Sequence, residues 1–469
     1  MSSRVETTPW WRSAVRVTVA GIPLWLLVVG AASLLILAVG VYKQIHPQYL
    51  SPDTSDFYTY YQAALAVRSG ANPFAPVIAW IHGYAPGDPL LPVYYVYAPI
   101  FALMLVPLTL VPVETANLIW GLLNTAFLFG AIFTFLRFAE ERVTLLKALL
   151  LTTAASLFSV VRLELYWGQA DILLLFLLCA ALWAGRARRS FLAGALLAVA
   201  CVIKPPMLIL VAFLLWKREY RFALATAGGF VLLLLGPLFF LGADVLRDQL
   251  TIWSFWSSQY AAFNDNESVR GILAHFFTIN PYVRPLLVAP ALAVALWLLF
   301  SVAVALFIAA RVRPQRIGSD TRSLIEAGLV VVGMLLVSPL TEYIYTTLLT
   351  VPLLVLYIFL SRQGIKTAPY QGLTVALTLI WGLLCLPLYK VELTFADRMS
   401  LESSLTGLYV FLAVPYLYAM VAVLILLIIA GRMIGVRGLP PRDLFGVIRA
   451  SVAQWTVDLT RTQSIRRVT

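Results

Sequence analysis

At 469 residues, 61% of them hydrophobic and only 12% charged, with a mean hydropathy of +0.89, the chain has about half the charge of a soluble domain. That excludes the string of water-soluble domains its length would suggest, and repeated apolar runs of ~20 residues point to membrane helices instead. The net charge of +12 is not a nucleic-acid footprint: it gathers at the ends of apolar runs, in Arg186, Arg188 and Arg189, in Lys217, Arg218 and Arg221, and in Arg311, Arg313, Arg316 and Arg322, where the positive-inside rule puts cytoplasmic anchors.

Residues 1–17 are expected to be a cytoplasmic N-terminus, with Arg12 and Arg16 holding the start of a first span at 19–41. That run is too long and uninterrupted for a cleaved signal peptide. A first external loop, 43–114, is dense in Asp, Pro, Gly and Tyr. Within it, 95–111 is apolar but short, and Pro99, Pro107 and the following Pro112 interrupt it. Were it a span, the basic loop 185–190 would fall outside, so a juxtamembrane helix in the outer interface is expected there. Further apolar stretches occupy 116–136, 145–161, 172–183, 191–216, 222–241, 286–310, 324–337, 345–360, 373–388 and 408–429. The stretch 191–216 has basic clusters at both ends, and one crossing cannot leave both inside. Two half-helices meeting at Lys204-Pro205-Pro206 can, because the paired prolines stop the first and a polar turn is tolerated where it lines a cavity.

The expected architecture is therefore an all-α polytopic membrane protein with about 12 transmembrane segments within residues 18–430 and both termini cytoplasmic. In the basic tail, 431–469, Leu444, Val447, Ile448, Val452 and Trp455 at helical spacing predict an interfacial helix. Cys179, Cys201 and Cys385 lie in apolar runs as small core residues. His46, His82 and His275 are scattered, no ligand spacing occurs, and neither a metal nor a cofactor is expected.

This threading sorts the polar groups. Asp53, Asp56, Asp88, Glu164, Asp171, Asp265, Glu267 and Glu342 all fall on the external side, so recognition and chemistry are expected there. Ser55 is a candidate N-cap that would place Asp56 in a first helical turn, where the helix dipole favours an ionised carboxylate able to accept a proton. The plainer reading is an ordinary helix-start aspartate. Lys204, amid apolar sequence, is a candidate for a lipid phosphate, against simple snorkelling. Gly168-Gln169-Ala170-Asp171 opens an apolar helix, with Gln169 and Asp171 expected to face the same cavity. Ser338-Pro339-Leu340-Thr341-Glu342-Tyr343 breaks two spans. Asn264 to Ser268, followed by Arg270, lies in the loop 242–284, where Trp253, Phe255, Trp256 and Tyr260 suggest packing on a membrane surface or a sugar; an interfacial aromatic belt is the plainer reading.

Taken in order, Asp56-Phe57-x-x-Tyr60, the run Gly70–Pro73, Gly168-Gln169-x-Asp171, Ala193-Gly194 through Lys204-Pro205, Asn266-x-Ser268 and Ser338-Pro339-x-Thr341 resemble glycosyltransferase family 87, the polyprenol-phosphate-mannose-dependent mannosyltransferases of the GT-C class. The likeness runs from about residue 20 to 360. It implies a GT-C-like membrane enzyme with juxtamembrane helices in its first external loop, sited in a bacterial plasma membrane with its active site extracytoplasmic. Its partners would be a polyprenyl-phosphate sugar donor, a lipid or glycan acceptor, and membrane lipids. Transfer would invert the anomeric centre, with Asp56 as general base. Lys204 and Arg270 are the candidates for the leaving phosphate, and Gln169, Asp171, Asn266, Glu342 and Tyr343 for the rest of the substrate site. Where mycobacterial members carry Trp and paired His after the Ser-Pro motif, this chain has Glu342-Tyr343-Ile344-Tyr345, so mannose is the expected sugar on the strength of the family alone. A lipid or sugar flippase would instead show discontinuous helices in matching halves, and a ligase using a pyrophosphate-linked donor would show grouped external arginines.

Overall fold

The computed structural model describes residues 18–19, 22–85, 88, 94–258, 260–390 and 407–435. The N-terminal segment 1–17 and the tail helix expected around 444–455 lie outside them. Two-residue strands β1 (Thr18–Val19) and β2 (Ile22–Pro23) pair antiparallel ahead of α1 (Leu24–Leu50). The first loop folds into a 3-10 turn at Pro52–Thr54, α2 (Asp56–Arg68), α3 (Ala75–Gly83) and α4 (Pro99–Leu105), which a second 3-10 turn, Val106–Leu110, extends. Helix and turn together reach about 20 Å, well short of the ~30 Å a bilayer core demands. The segment is too short to cross as a single straight helix.

Then come α5 (Val113–Phe138), α6 (Leu145–Ser156), α7 (Ser159–Trp167), α8 (Asp171–Arg186), α9 (Ser190–Ile203) and α10 (Ile209–Trp216). The break between α9 and α10 falls at Lys204 and the 3-10 turn Pro205–Leu208, which is the expected pair of half-helices. A second break was not expected: α6 and α7 meet at 82°. The remaining helices are α11 (Tyr220–Leu235), α12 (Leu238–Leu241), α13 (Asp244–Ser258), α14 (Val269–Phe277), α15 (Pro290–Ala309), α16 (Thr321–Val337), α17 (Thr350–Gln363), α18 (Ala368–Cys385) and α19 (Pro415–Met433).

Among the described residues, seven helices are long and apolar enough to cross a bilayer, or eight if the bent pair α6–α7 is one span. This supports a polytopic chain without confirming the expected count of 12 segments. The apolar segments are all helical, but α8 and α16 have only 16 and 17 residues, and the half-helices α9 and α10 have 14 and 8. Helices α8 and α16 are buried along most of their length. Their apolarity answers to neighbouring helices as much as to lipid, a distinction that hydropathy along a chain does not carry.

Helix α9 packs along α8 and α11, and α8 along α5. Gly194 permits the closest of these approaches, since a Cβ there would sit 2.3 Å from the Cβ of Ala225. The helices run between two polar ends. At one, the basic connectors meet acidic partners: Lys217 Nζ lies 2.6 Å from Glu326, which Arg313 and Arg322 also contact at 2.9 and 3.2 Å. Arg186 pairs with Glu140, and Lys147 and Arg362 hold Glu141 at 2.8 and 3.0 Å. The connectors that charge alone assigns to one side of the membrane thus share one end of the bundle. At the other end, the polar breaks meet around a cavity.

Candidate active site

Ser55 caps α2, its Oγ accepting from Tyr58 N at 3.2 Å, so Asp56 occupies the first turn as predicted. The segment between α7 and α8 is held beside it. Gly168 closes α7 in the left-handed region (φ +67°), and a Cβ there would lie 2.8 Å from the Cβ of Phe57, so only glycine fits. Trp120 Nε1 donates to Gly168 O at 2.7 Å, and Asn124 Nδ2 to Gln169 O at 3.3 Å. Thus fixed, Gln169 Nε2 donates to Asp56 Oδ2 at 2.5 Å, while its Oε1 accepts from Tyr60 and Tyr97 hydroxyls at 2.9 and 3.0 Å. Two phenol donors on the amide oxygen force the amide nitrogen toward the carboxylate. Burial raises the Asp56 pKa to about 6, against the lowering effects of the Gln169 hydrogen bond and the Lys204 charge.

Asp56 lines a cavity of about 1060 Å³ together with Gln169, Lys204, Asp265, Glu342 and Tyr343. Five of the eight sequence-predicted site residues are therefore gathered in one place: Asp56, Gln169, Lys204, Glu342 and Tyr343. Asp171 stands just behind the wall, fully buried, accepting from Lys204 Nζ at 2.6 Å, with its backbone N–H bonded to Glu164 Oε2 at 3.0 Å. The same ammonium sits 3.1 Å from the centre of the Tyr345 ring. Lys204 is thus pinned at the tip between α9 and α10, and it is the only cation lining the cavity among the described residues.

Arg270 and Asn266 do not line the cavity. Arg270 is buried on α14, 5.7 Å from the ring of Trp297. Asn266 is a clip: its Nδ2 donates to Ala261 O and Pro339 O at 2.8 and 3.1 Å, its Oδ1 accepts from Thr341 N at 3.1 Å, and its backbone bridges to Glu342. It ties the loop before α14 to the Ser338–Glu342 break and so sets the position of two cavity carboxylates.

Sequence reasoning missed Asp265 as a site residue. It lines the cavity, and burial, with the nearby Asp56 charge second, raises its pKa to about 7. The signal was present in the polar run 264–268, though nothing in it singles out Asp265. The aromatic belt reading also gives way: Trp253, Trp256 and Tyr260 face the cavity, and Phe255 alone turns away, packing on Trp80 and Tyr84 with ring centres 5.3 and 5.1 Å apart. Asn72, of the Gly70–Pro73 run, is structural, donating to Asp248 of α13 at 2.6 Å.

This arrangement is a deep, part-aromatic cavity with an oriented carboxylate and one fixed cation, and the family model for glycosyltransferase family 87 matches residues 95–339. The chain belongs to glycosyltransferase family 87. The match takes in Gln169, Asp171, Lys204, Asn266 and Arg270 and stops short of Glu342 and Tyr343; Asp56 precedes it, and the fold brings these three residues to the same cavity. A polyprenol-phosphate-mannose-dependent alpha-(1-2)-phosphatidylinositol pentamannoside mannosyltransferase of Mycobacterium tuberculosis is 28% identical over 280 residues, 57% of this chain and 62% of the relative. The similarity therefore spans less than two thirds of that relative's length. No solved structure matches the chain.

Proposed function

We propose that this family 87 protein moves a sugar, mannose by the family's example, from a polyprenyl-phosphate donor to an acceptor hydroxyl, inverting the anomeric carbon, at the extracytoplasmic face of a bacterial plasma membrane. The observation that carries the reading is Asp56: a carboxylate in a first helical turn, oriented by Gln169, facing a cavity of about 1060 Å³. Its pKa of about 6 suits a base that must be ionised near neutral pH and still accept a proton.

In the reaction the acceptor hydroxyl gives its proton to the free Asp56 oxygen while its own oxygen attacks C1 of the donor sugar. The C1–O bond breaks on the opposite face, and polyprenyl phosphate leaves with the bonding electrons. Lys204 supplies the positive charge against which phosphate develops its own, and Asp171 and Tyr345 hold that ammonium so that little reorganisation is needed during the step. Arg270, outside the cavity lining, has no part in this scheme. Glu342 and Tyr343 offer acceptors and a hydroxyl to the transferred sugar.

The test is incubation of purified protein with polyprenyl-phosphate mannose, and with the glucose analogue, followed by mass spectrometry of the lipid. Time-dependent loss of sugar from the mannosyl lipid, absent in Asp56→Asn, is the expected result. An intact donor after prolonged incubation with wild-type protein and a range of glycolipid acceptors would sink the reading.

A further inference from the structure

The cavity lining is lopsided in charge. Lys204 is the only cation among the described lining residues, and it already faces Asp171, whereas Asp53, Asp56, Asp265 and Glu342 all line the same space. Two of these carboxylates are built as a pair: Asp265 precedes Asn266, whose backbone bridges to Glu342. Asp265 Oδ1 is shielded from solvent and has no hydrogen-bond partner, which is costly unless a ligand supplies a donor. Beside it the wall is aromatic. Trp256 stacks on Tyr260 with ring centres 4.7 Å apart, and Tyr260 on Phe263 at 4.5 Å, which leaves this wall rigid. Trp253 lines the cavity with no aromatic neighbour of its own among the described residues. Asp56 and Glu342 each lie within electrostatic reach of both Lys204 and Asp265.

We propose that charge divides the cavity, the lipid phosphate of the donor lying at Lys204 and the acceptor, a neutral glycan, lying across Asp56 on Asp265 and the Trp253–Trp256 wall. This rests on the transfer reading above and adds the seat of the acceptor. An ionised carboxylate accepts hydrogen bonds and its protonated form also donates one, so Asp265, its pKa raised to about 7, matches sugar hydroxyls in either form, and an indole face matches the C–H face of a pyranose ring. A phosphorylated acceptor end would set a second anion beside the donor phosphate and against the ionised share of these carboxylates in a low-dielectric space. With the acceptor on this side, its hydroxyl meets Asp56 from the face opposite the leaving phosphate, the geometry an inverting displacement needs.

The test is a ligand-observed NMR titration of the full chain in detergent, with methyl α-mannoside, methyl α-glucoside and mannose 6-phosphate, farnesyl phosphate being held at saturation to occupy the Lys204 end. At least one neutral glycoside is expected to bind, and mannose 6-phosphate at least roughly tenfold more weakly. Asp265→Asn and Trp253→Ala should each weaken the neutral glycoside on the order of tenfold, with Trp253→Phe restoring most of the loss. Binding of mannose 6-phosphate as tight as the neutral sugars, no binding by either glycoside, or binding indifferent to both substitutions would each overturn the proposal. Donor cleavage by wild-type protein is read separately, so failure of the transfer reading is distinguishable from failure of this one.

Discussion

The two polar ends of the bundle use the same residue types to opposite effect. At the basic end, carboxylates are saturated: Glu326, almost fully buried, has three cations within 3.2 Å, and Glu140 and Glu141 are claimed by arginine, lysine or serine. At the cavity end, Asp56, Asp265 and Glu342 share a single lysine that is already engaged by Asp171. Paired charges at one end fasten helices whose apolar faces cannot specify register by themselves. Unpaired carboxylates at the other keep raised pKa values and open valences, which are what substrate binding and proton transfer require.

The sharpest way to break this comparison is to neutralise one carboxylate at each end. Asp56→Asn keeps the shape of the first turn of α2 and an acceptor oxygen, yet removes the base. Transfer from the polyprenyl-phosphate donor should fall by ~10²–10⁴-fold while thermal unfolding in detergent stays where it was. Near wild-type transfer would remove Asp56 from the chemistry. At the basic end the opposite is expected. Glu326→Gln leaves Lys217 buried without its counter-charge, and breaking such a pair typically costs about 3–5 kcal/mol. The thermal midpoint should drop sharply, with transfer per folded molecule retained. Lys217→Met should be milder, because Arg313 and Arg322 still reach Glu326. A lower turnover with unchanged stability in Glu326→Gln would mean the basic end is more than a clamp.

How far each end was legible in the sequence follows from the same contrast. Lipid forbids unsatisfied backbone, so apolar run length and proline breaks announce helices and their interruptions, and the Lys204-Pro205-Pro206 tip and the Ser55 cap were readable directly. Charge placement gathered the basic connectors correctly at one end. Pairing was not readable. Lys204 meets Asp171 across 33 residues and Lys217 meets Glu326 across 109, and neither choice leaves a mark on local sequence. For the same reason local sequence shows neither the burial of Arg270 nor the place of Asp265 in the cavity wall, since both follow from folding the loop before α14 against the Ser338–Glu342 break. The count of spans stays unconfirmed where α8 and α16, short and buried, spend their apolar residues on other helices.

A subtler test lies in Gln169, which touches the base without needing to touch substrate. If Asp56 is the base, kcat/KM should fall as pH drops through about 6, because the protonated carboxyl cannot accept the acceptor's proton. The hydrogen bond from Gln169 Nε2 stabilises the ionised form and so lowers the Asp56 pKa. Gln169→Ala removes that donor and should move the acidic limb to higher pH, with a loss of roughly tenfold in kcat near neutrality that recovers in part at alkaline pH. Gln169→Glu, which sets a second carboxylate against Asp56, should move the limb further in the same direction. A purely structural glutamine would lower activity equally at every pH. A uniform loss with an unmoved limb would therefore detach Gln169 from the base and leave it as part of the scaffold that Trp120 and Asn124 already hold.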